Sequence, residues 1–113
     1  MADFRVLTDD ELPASEAGLL ASVKKGFGFI PNLERVLVQA PAALRGYVAL
    51  WDLIAETRLT AVEQQVVCQQ INRQHGCHYC LAHHDVLLKQ AGADRATREA
   101  LLNAQPLADL PLR

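Results

Sequence analysis

Helix start and stop signals follow one another along this chain with no β alternation between them, which limits the fold to helices. In residues 42–56 the apolar side chains recur at steps of three, one, three and three, as on one buried helix face. They are Leu44, Tyr47, Val48, Trp51 and Ile54. No stretch alternates apolar and polar residues at the period of two that a half-buried strand shows. The sequence therefore predicts an all-α fold.

Capping residues place about six helices along the chain. Thr60 and Glu63 form a capping box, in which the hydroxyl and the carboxylate satisfy exposed amides reciprocally. Asn32 and Asp94 are expected to cap helices, and Gly26 is expected to end one. The six predicted helices span residues 14–25, 33–40, 42–56, 60–74, 77–91 and 94–103. They predict a helical bundle in a single domain, residues 1–113.

Length and charge exclude several classes of function. The chain has 113 residues, half of them apolar, which suffices for one compact core. Its net charge is −2 and its 11 basic residues are scattered, so no nucleic-acid or membrane surface is expected. The N-terminus shows no signal-peptide pattern, and no apolar run reaches the length of a membrane span. We expect a cytoplasmic protein, whose thiols stay reduced until they react.

Two cysteines and a histidine are spaced to meet on one helix face. Cys80 follows Cys77 by three residues, and His84 follows Cys80 by four. Cα atoms three apart in a helix are on the order of 5 Å apart, within reach of a disulfide. Gly76 is expected to end the preceding helix in the left-handed conformation, so the pair begins a new helix whose amides favour a thiolate. The sequence therefore predicts a redox-active dithiol assisted by an imidazole.

Zinc binding and redox sensing are the alternatives to a catalytic pair. Cys77, Cys80 and either His83 or His84 supply three possible zinc ligands, with His75 as a possible fourth. A structural zinc site usually takes its second ligand pair from a distant segment, and the chain has no second pair of that kind. A helical subunit whose thiols only sense redox state is the third interpretation. The lack of a strand before the cysteines argues against a thioredoxin fold.

The remaining cysteine and two more histidines are given lesser roles. Cys68 lies in an apolar stretch and is expected to be an inert small hydrophobic residue. His83 does not share a face with His84 and is expected to be solvated or at a subunit contact. His78, inside the cysteine motif, is expected to tune the thiols.

A set of motifs over roughly residues 26–104 carries a family resemblance. They are Phe27-Gly28-Phe29-Ile30-Pro31-Asn32-Leu33, Pro41, Leu59-Thr60, Glu63, Gly76-Cys77-His78-Tyr79-Cys80 and Ala82-His83-His84. Together they resemble the carboxymuconolactone decarboxylase superfamily, in its AhpD-like alkylhydroperoxidase branch. The resemblance implies an all-α AhpD-like bundle that assembles into trimers or hexamers. It also implies an antioxidant enzyme, a peroxidase that reduces hydroperoxides through its thiols.

The same resemblance implies the partners of the reaction. There would be no bound cofactor, and an external thiol or dihydrolipoyl-type reductant protein would reduce the disulfide again. Branches of the superfamily that decarboxylate a lactone lack the cysteine pair, so that activity is disfavoured. Another activity of the superfamily remains an alternative.

Four residues receive catalytic roles from the resemblance. Cys80 would attack the peroxide and become a sulfenic acid, and Cys77 would resolve it into a disulfide. His84 would be the central member of a proton relay. Characterised family members begin that relay with a glutamate twelve residues before the first cysteine, and Gln65 holds that position here. An amide cannot accept the proton, but it can hydrogen-bond a histidine nitrogen and fix its tautomer.

Three leucines follow the last predicted helix without a helical period. Leu107, Leu110 and Leu112 are expected to be covered by a neighbouring subunit, because a row of exposed leucines is poorly tolerated. This chain is therefore expected to form a homo-oligomer.

Overall fold

The computed structural model describes residues 3–107, and all regular structure in them is helical. The six α-helices are α1 (Ala17–Phe27), α2 (Asn32–Leu37), α3 (Pro41–Ala55), α4 (Ala61–Gln74), α5 (His78–Gln90) and α6 (Arg95–Leu102). Two short 3-10 turns, Asp9–Glu11 and Ala14–Glu16, precede α1. The prediction of an all-α chain with about six helices is confirmed for the described residues.

The chain divides into two compact units, Met1–Leu53 and Ile54–Arg113, and each is described here by itself. The boundary between them falls near the end of α3. The interpretation of residues 1–113 as one domain stays a prediction.

The first unit is built around three buried aliphatic side chains. Leu20 of α1, Val38 just after α2 and Leu44 of α3 pack together. The half-buried apolar residues around them are Leu7, Leu12, Leu19, Ile30, Leu37 and Val48. Burial of each such side chain stabilises the fold by roughly 1.5–3 kcal/mol. This packing is what maintains α2, because a helix of six residues is not stable in isolation.

Several predicted helix boundaries in the first unit are wrong, since α1 begins at Ala17 and not at residue 14, and α2 ends at Leu37 and not at residue 40. Gly26 does not end α1, which continues to Phe27 and ends at Gly28. Gly28 has φ +84°, a conformation that favours glycine, and its N–H donates to the Lys24 carbonyl at 2.7 Å. Asn32 is not a cap but the first residue of α2, which follows Pro31 without a side-chain cap.

Glu34 of α2 is a buried carboxyl group without full hydrogen bonding. Its side chain is 3% exposed, and its Oε2 has no hydrogen-bond partner among residues 3–107. Burial raises the pKa of Glu34 above its usual range. Glu16 is buried to the same extent, but Arg45 neutralises it through an ion pair. Glu34 therefore opposes folding in its ionised form, whereas the charge of Glu16 is balanced by Arg45.

Replacing Glu34→Met should raise the free energy of unfolding at pH 7 by about 1–3 kcal/mol, because the unsatisfied oxygen is removed and the side-chain length is kept. The pKa of Glu34 is higher in the folded state, so its cost is absent below the unfolded-state pKa of about 4.3 and develops as pH rises through the folded pKa. The stabilisation should therefore shrink towards pH 4. Urea unfolding at pH 4 and pH 7 measures it.

The exposed residue Glu56 provides the control for that substitution. Glu56→Met removes the same charge, but the carboxylate that it removes is exposed and not buried. It should therefore leave the unfolding midpoint nearly unchanged. An equal gain in both variants would mean that net charge, and not the buried oxygen of Glu34, limits stability.

The second unit packs three helices, with α4 along α5 and α6 against both. Its buried side chains among the described residues are Gln65, Gln69, His84, Leu88 and Leu101. Arg98 of α6 donates to both carboxylate oxygens of Asp85 on α5, at 2.9 and 2.6 Å. Arg73 Nη1 of α4 donates to the Leu101 carbonyl at 3.0 Å. Three of the five buried side chains are polar and therefore need hydrogen-bond partners inside the unit.

The predicted caps of the second unit are confirmed. Thr60 Oγ1 accepts from the Glu63 N–H at 3.2 Å, and Glu63 Oε2 accepts from the Thr60 N–H at 2.6 Å. Asp94 Oδ1 accepts from the Thr97 N–H at 2.7 Å at the start of α6. These short-range bonds fix where α4 and α6 begin.

Within residues 3–107, no helix combines the length and the apolar character needed to cross a lipid bilayer. Of the three leucines expected beneath a neighbouring subunit, Leu107 is half-buried. Leu110 and Leu112 lie outside the described residues.

Candidate active site

Cys77 and Cys80 are joined at the start of α5. Gly76 has φ +63° and turns the chain after α4, as predicted. Cys77 is extended and is the N-cap of α5, so it lies just outside the helix instead of on its face. The two sulfur atoms form a disulfide, with the Cα atoms 5.3 Å apart. The turn therefore holds the two half-buried cysteines within disulfide distance.

The two cysteines have different neighbours on α5. The Cys80 N–H donates to Cys77 Sγ at 3.3 Å, so the positive end of α5 acts on Cys77. His84 lies four positions beyond Cys80 on α5, which places them on the same face, one turn apart. Once the disulfide is reduced, the N-terminus of α5 stabilises a thiolate at Cys77, whereas the group one turn from Cys80 is an imidazole.

His84 and Gln65 form a buried hydrogen bond between α5 and α4. The distance from His84 Nδ1 to Gln65 Oε1 is 2.6 Å, and both side chains are buried. A carbonyl oxygen only accepts, so Nδ1 carries the proton and Nε2 carries the lone pair. Burial, and then the neighbouring His83, lowers the pKa of His84 to about 4. The imidazole is therefore neutral at pH 7 and held in one tautomer.

The structure brings the four predicted site residues together as two bonded pairs in one helical unit. Cys77 bonds to Cys80, Gln65 bonds to His84, and α5 carries both Cys80 and His84. Their catalytic roles stay predictions.

His83 is half-buried, and its predicted place in solvent or at a subunit contact stays a prediction. Its ring stacks on Tyr79, with centroids 6.1 Å apart and planes 6° apart, and it lies nearly perpendicular to the His84 ring, with centroids 5.6 Å apart. Burial lowers the pKa of His83. His75 and His78, the other two histidines, are exposed.

Cys68 is half-buried in α4, and burial raises the pKa of its thiol. A protonated, half-buried thiol is a poor nucleophile, which agrees with the inert role predicted for it. Among residues 3–107, no group of three or more His, Cys, Asp and Glu side chains is arranged to hold a metal ion.

Two residues of this region were missed in the sequence. Gln69 is fully buried, and its Nε2 donates to the Leu81 carbonyl of α5 at 3.0 Å. Asn72 Nδ2 donates to Gln69 Oε1 at 3.2 Å, and the Asn72 carbonyl accepts from the Cys77 N–H at 3.0 Å. The available signal was their spacing, since Gln65, Gln69 and Asn72 recur at steps of four and three and share one face of α4.

No protein-family model matches this chain, and no curated protein sequence matches it. The resemblance to the AhpD-like branch therefore stays a prediction that rests on the motifs.

Proposed function

We propose that this protein reduces organic hydroperoxides with a dithiol, Cys77 and Cys80, that cycles through a disulfide. The observation that carries the proposal is the arrangement on α5. The two sulfur atoms lie within bonding reach at the helix N-terminus, and a buried neutral imidazole, His84, lies one turn beyond Cys80. Thiol peroxidase chemistry uses a reactive thiol, a second thiol within bonding reach and a group that moves the proton.

In the first step the Cys80 thiolate attacks one oxygen of the hydroperoxide. An S–O bond forms, the O–O bond breaks, and the alkoxide leaves, so that sulfur is oxidised to a sulfenic acid and the peroxide is reduced to an alcohol. Neutral His84 takes the thiol proton at Nε2 and returns it to the departing alkoxide. Gln65 keeps the other nitrogen, Nδ1, protonated and so leaves Nε2 as the base.

In the second step the Cys77 sulfur attacks the sulfur of the Cys80 sulfenic acid. The S–S bond forms and the hydroxyl group leaves as water, with the proton that Cys77 gives up. The product is the disulfide at the start of α5. Two thiol groups of an external reductant then restore the dithiol and become a disulfide themselves. We propose a dihydrolipoyl-type dithiol for this role and a reducing compartment, the cytoplasm, as its setting.

A homo-oligomer of three or six subunits is part of the proposal. Its support in the second unit is the exposure of two apolar side chains four residues apart on α4, Val67 and Ile71, each 48% exposed. Neighbouring apolar side chains on one helix face favour burial against a partner.

Native mass spectrometry with one molar equivalent of tert-butyl hydroperoxide tests the proposal. The reduced protein should lose two hydrogens, carry no zinc, release one equivalent of tert-butanol and appear as a trimer or hexamer. Cys68→Ala is the matched control and should behave identically, because this cysteine belongs to no pair. A reduced protein that holds stoichiometric zinc and resists the peroxide would contradict the proposal and favour metal binding. A disulfide that forms no faster than in a short peptide with the same cysteine motif would favour redox sensing.

A further inference from the structure

Gln69 is fully buried, and both its amide nitrogen and its amide oxygen have a hydrogen-bond partner. The Leu81 carbonyl can only accept, so the amide group facing it at 3.0 Å must be the Gln69 NH₂. The Gln69 oxygen then faces the Asn72 NH₂ at 3.2 Å, with donor and acceptor correctly matched. The orientation of the Gln69 amide is therefore fixed by its neighbours.

The carbonyl that Gln69 holds belongs to the residue that follows Cys80. Leu81 lies between Cys80 and His84 on α5, one residue after Cys80 and three before His84. Three contacts fix α5 against α4 at successive points. They are the bond from Gln69 to the Leu81 carbonyl, the bond from the Cys77 N–H to the Asn72 carbonyl, and the bond between His84 and Gln65. The three points span the whole segment that carries the thiols and the imidazole.

An apolar side chain of the same length would fill the place of Gln69 without the cost of burying an amide. A buried polar network whose groups are paired rigidifies the packing, and in some proteins it specifies one register between two helices. The two bonds of Gln69 therefore act on the position of α5 along α4.

We infer that Gln69 is a positioning residue that sets the register of the cysteine turn on α4 and so places Cys80 and His84 relative to each other. The inference rests on the proposed function for its catalytic consequence. Its structural consequence, a change in the His84 environment and in the ease of closing the disulfide, does not depend on peroxide chemistry.

Gln69→Glu gives a test that pH can switch. A protonated glutamic acid still donates to the Leu81 carbonyl and accepts from Asn72, whereas the carboxylate cannot donate. Burial raises the pKa of the introduced carboxyl above its ordinary value of about 4.3. At low pH we expect the equilibrium constant for forming the disulfide with glutathione to be close to that of the unchanged protein. Once the carboxyl ionises, this constant should fall about tenfold.

Matched variants separate positioning from general effects. Gln70→Glu makes the same chemical change on the exposed side of α4, where a carboxylate can still accept from Arg73, and should show no pH switch. Gln69→Met keeps the length without the donor and should show the weakened equilibrium at every pH. Since Met is apolar and fits a buried place, it keeps the test valid if the glutamate variant does not fold. The glutathione equilibrium of any dithiol depends on pH, so each profile is compared with that of the unchanged protein.

The readouts are the glutathione equilibrium and the pKa of His84 from NMR of its ring protons, both measured without peroxide. A switch in Gln69→Glu together with a shifted His84 pKa in Gln69→Met supports the inference, whatever the peroxide results. Profiles in both variants that match the unchanged protein, or that match Gln70→Glu, would overturn it. Failure of the proposed function has a different signature, which is normal disulfide closure without peroxide consumption.

Discussion

Replacing Cys80→Ser should abolish peroxide consumption, whereas Cys77→Ser should permit one turnover and leave a sulfenic acid on Cys80. The reason is the division of groups on α5: His84 shares a face with Cys80 and can take its proton, and Cys77 is needed only to close the disulfide. Trapping with dimedone followed by mass spectrometry measures the sulfenic acid. The loss in Cys80→Ser is expected to be complete, because serine cannot replace the thiolate.

The opposite result, in which Cys77 is the attacking cysteine, would also have a physical explanation. The Cys80 N–H donates to Cys77 Sγ, so the helix N-terminus favours a thiolate at Cys77. If Cys80→Ser forms a sulfenic acid and Cys77→Ser does not react, the helix terminus outweighs His84 and the order of attack is reversed. Cys68→Ser should change neither step, since its thiol is half-buried and protonated.

Features that depend on a few neighbouring residues could be predicted from the sequence. The capping box of Thr60 and Glu63 and the cap at Asp94 are closed by bonds within three residues. Gly76 was recognisable because it lies directly between a helix pattern and the cysteine pair. The spacing of Cys77 and Cys80 in the sequence predicts the distance between their Cα atoms, because that distance follows from local backbone geometry.

Features that depend on packing could not be predicted in this way. Gly26 and Gly28 lie two residues apart, and both can end a helix, so local rules do not decide which one takes the left-handed conformation. The burial of Glu34 and Gln69 reverses the usual tendency of polar side chains to face water. It arises only when α2 and α4 pack against other elements. For the same reason the Gln65–His84 bond, suggested by a family resemblance, required a structure to be seen as a contact.

Replacing Gln65→Glu should increase the rate of peroxide reduction about tenfold near neutral pH. The pKa of His84 is about 4 because burial disfavours the imidazolium, and the amide of Gln65 adds no charge to offset this. A carboxylate in the same place stabilises the imidazolium and raises the pKa of His84, typically by about one unit or more. Since His84 becomes charged when it takes the Cys80 proton, the thiolate fraction rises by the same factor.

The increase in rate should depend on pH. The introduced carboxyl is ionised only above its own pKa, so the gain should be largest near neutral pH and vanish at low pH. Single-turnover kinetics with tert-butyl hydroperoxide, from pH 5 to pH 8, measures the rate, and NMR titration of the His84 ring measures its pKa. Gln70→Glu adds the same charge to the exposed side of α4 and should leave both quantities unchanged. A raised His84 pKa with an unchanged rate would show that proton transfer to His84 does not limit the reaction.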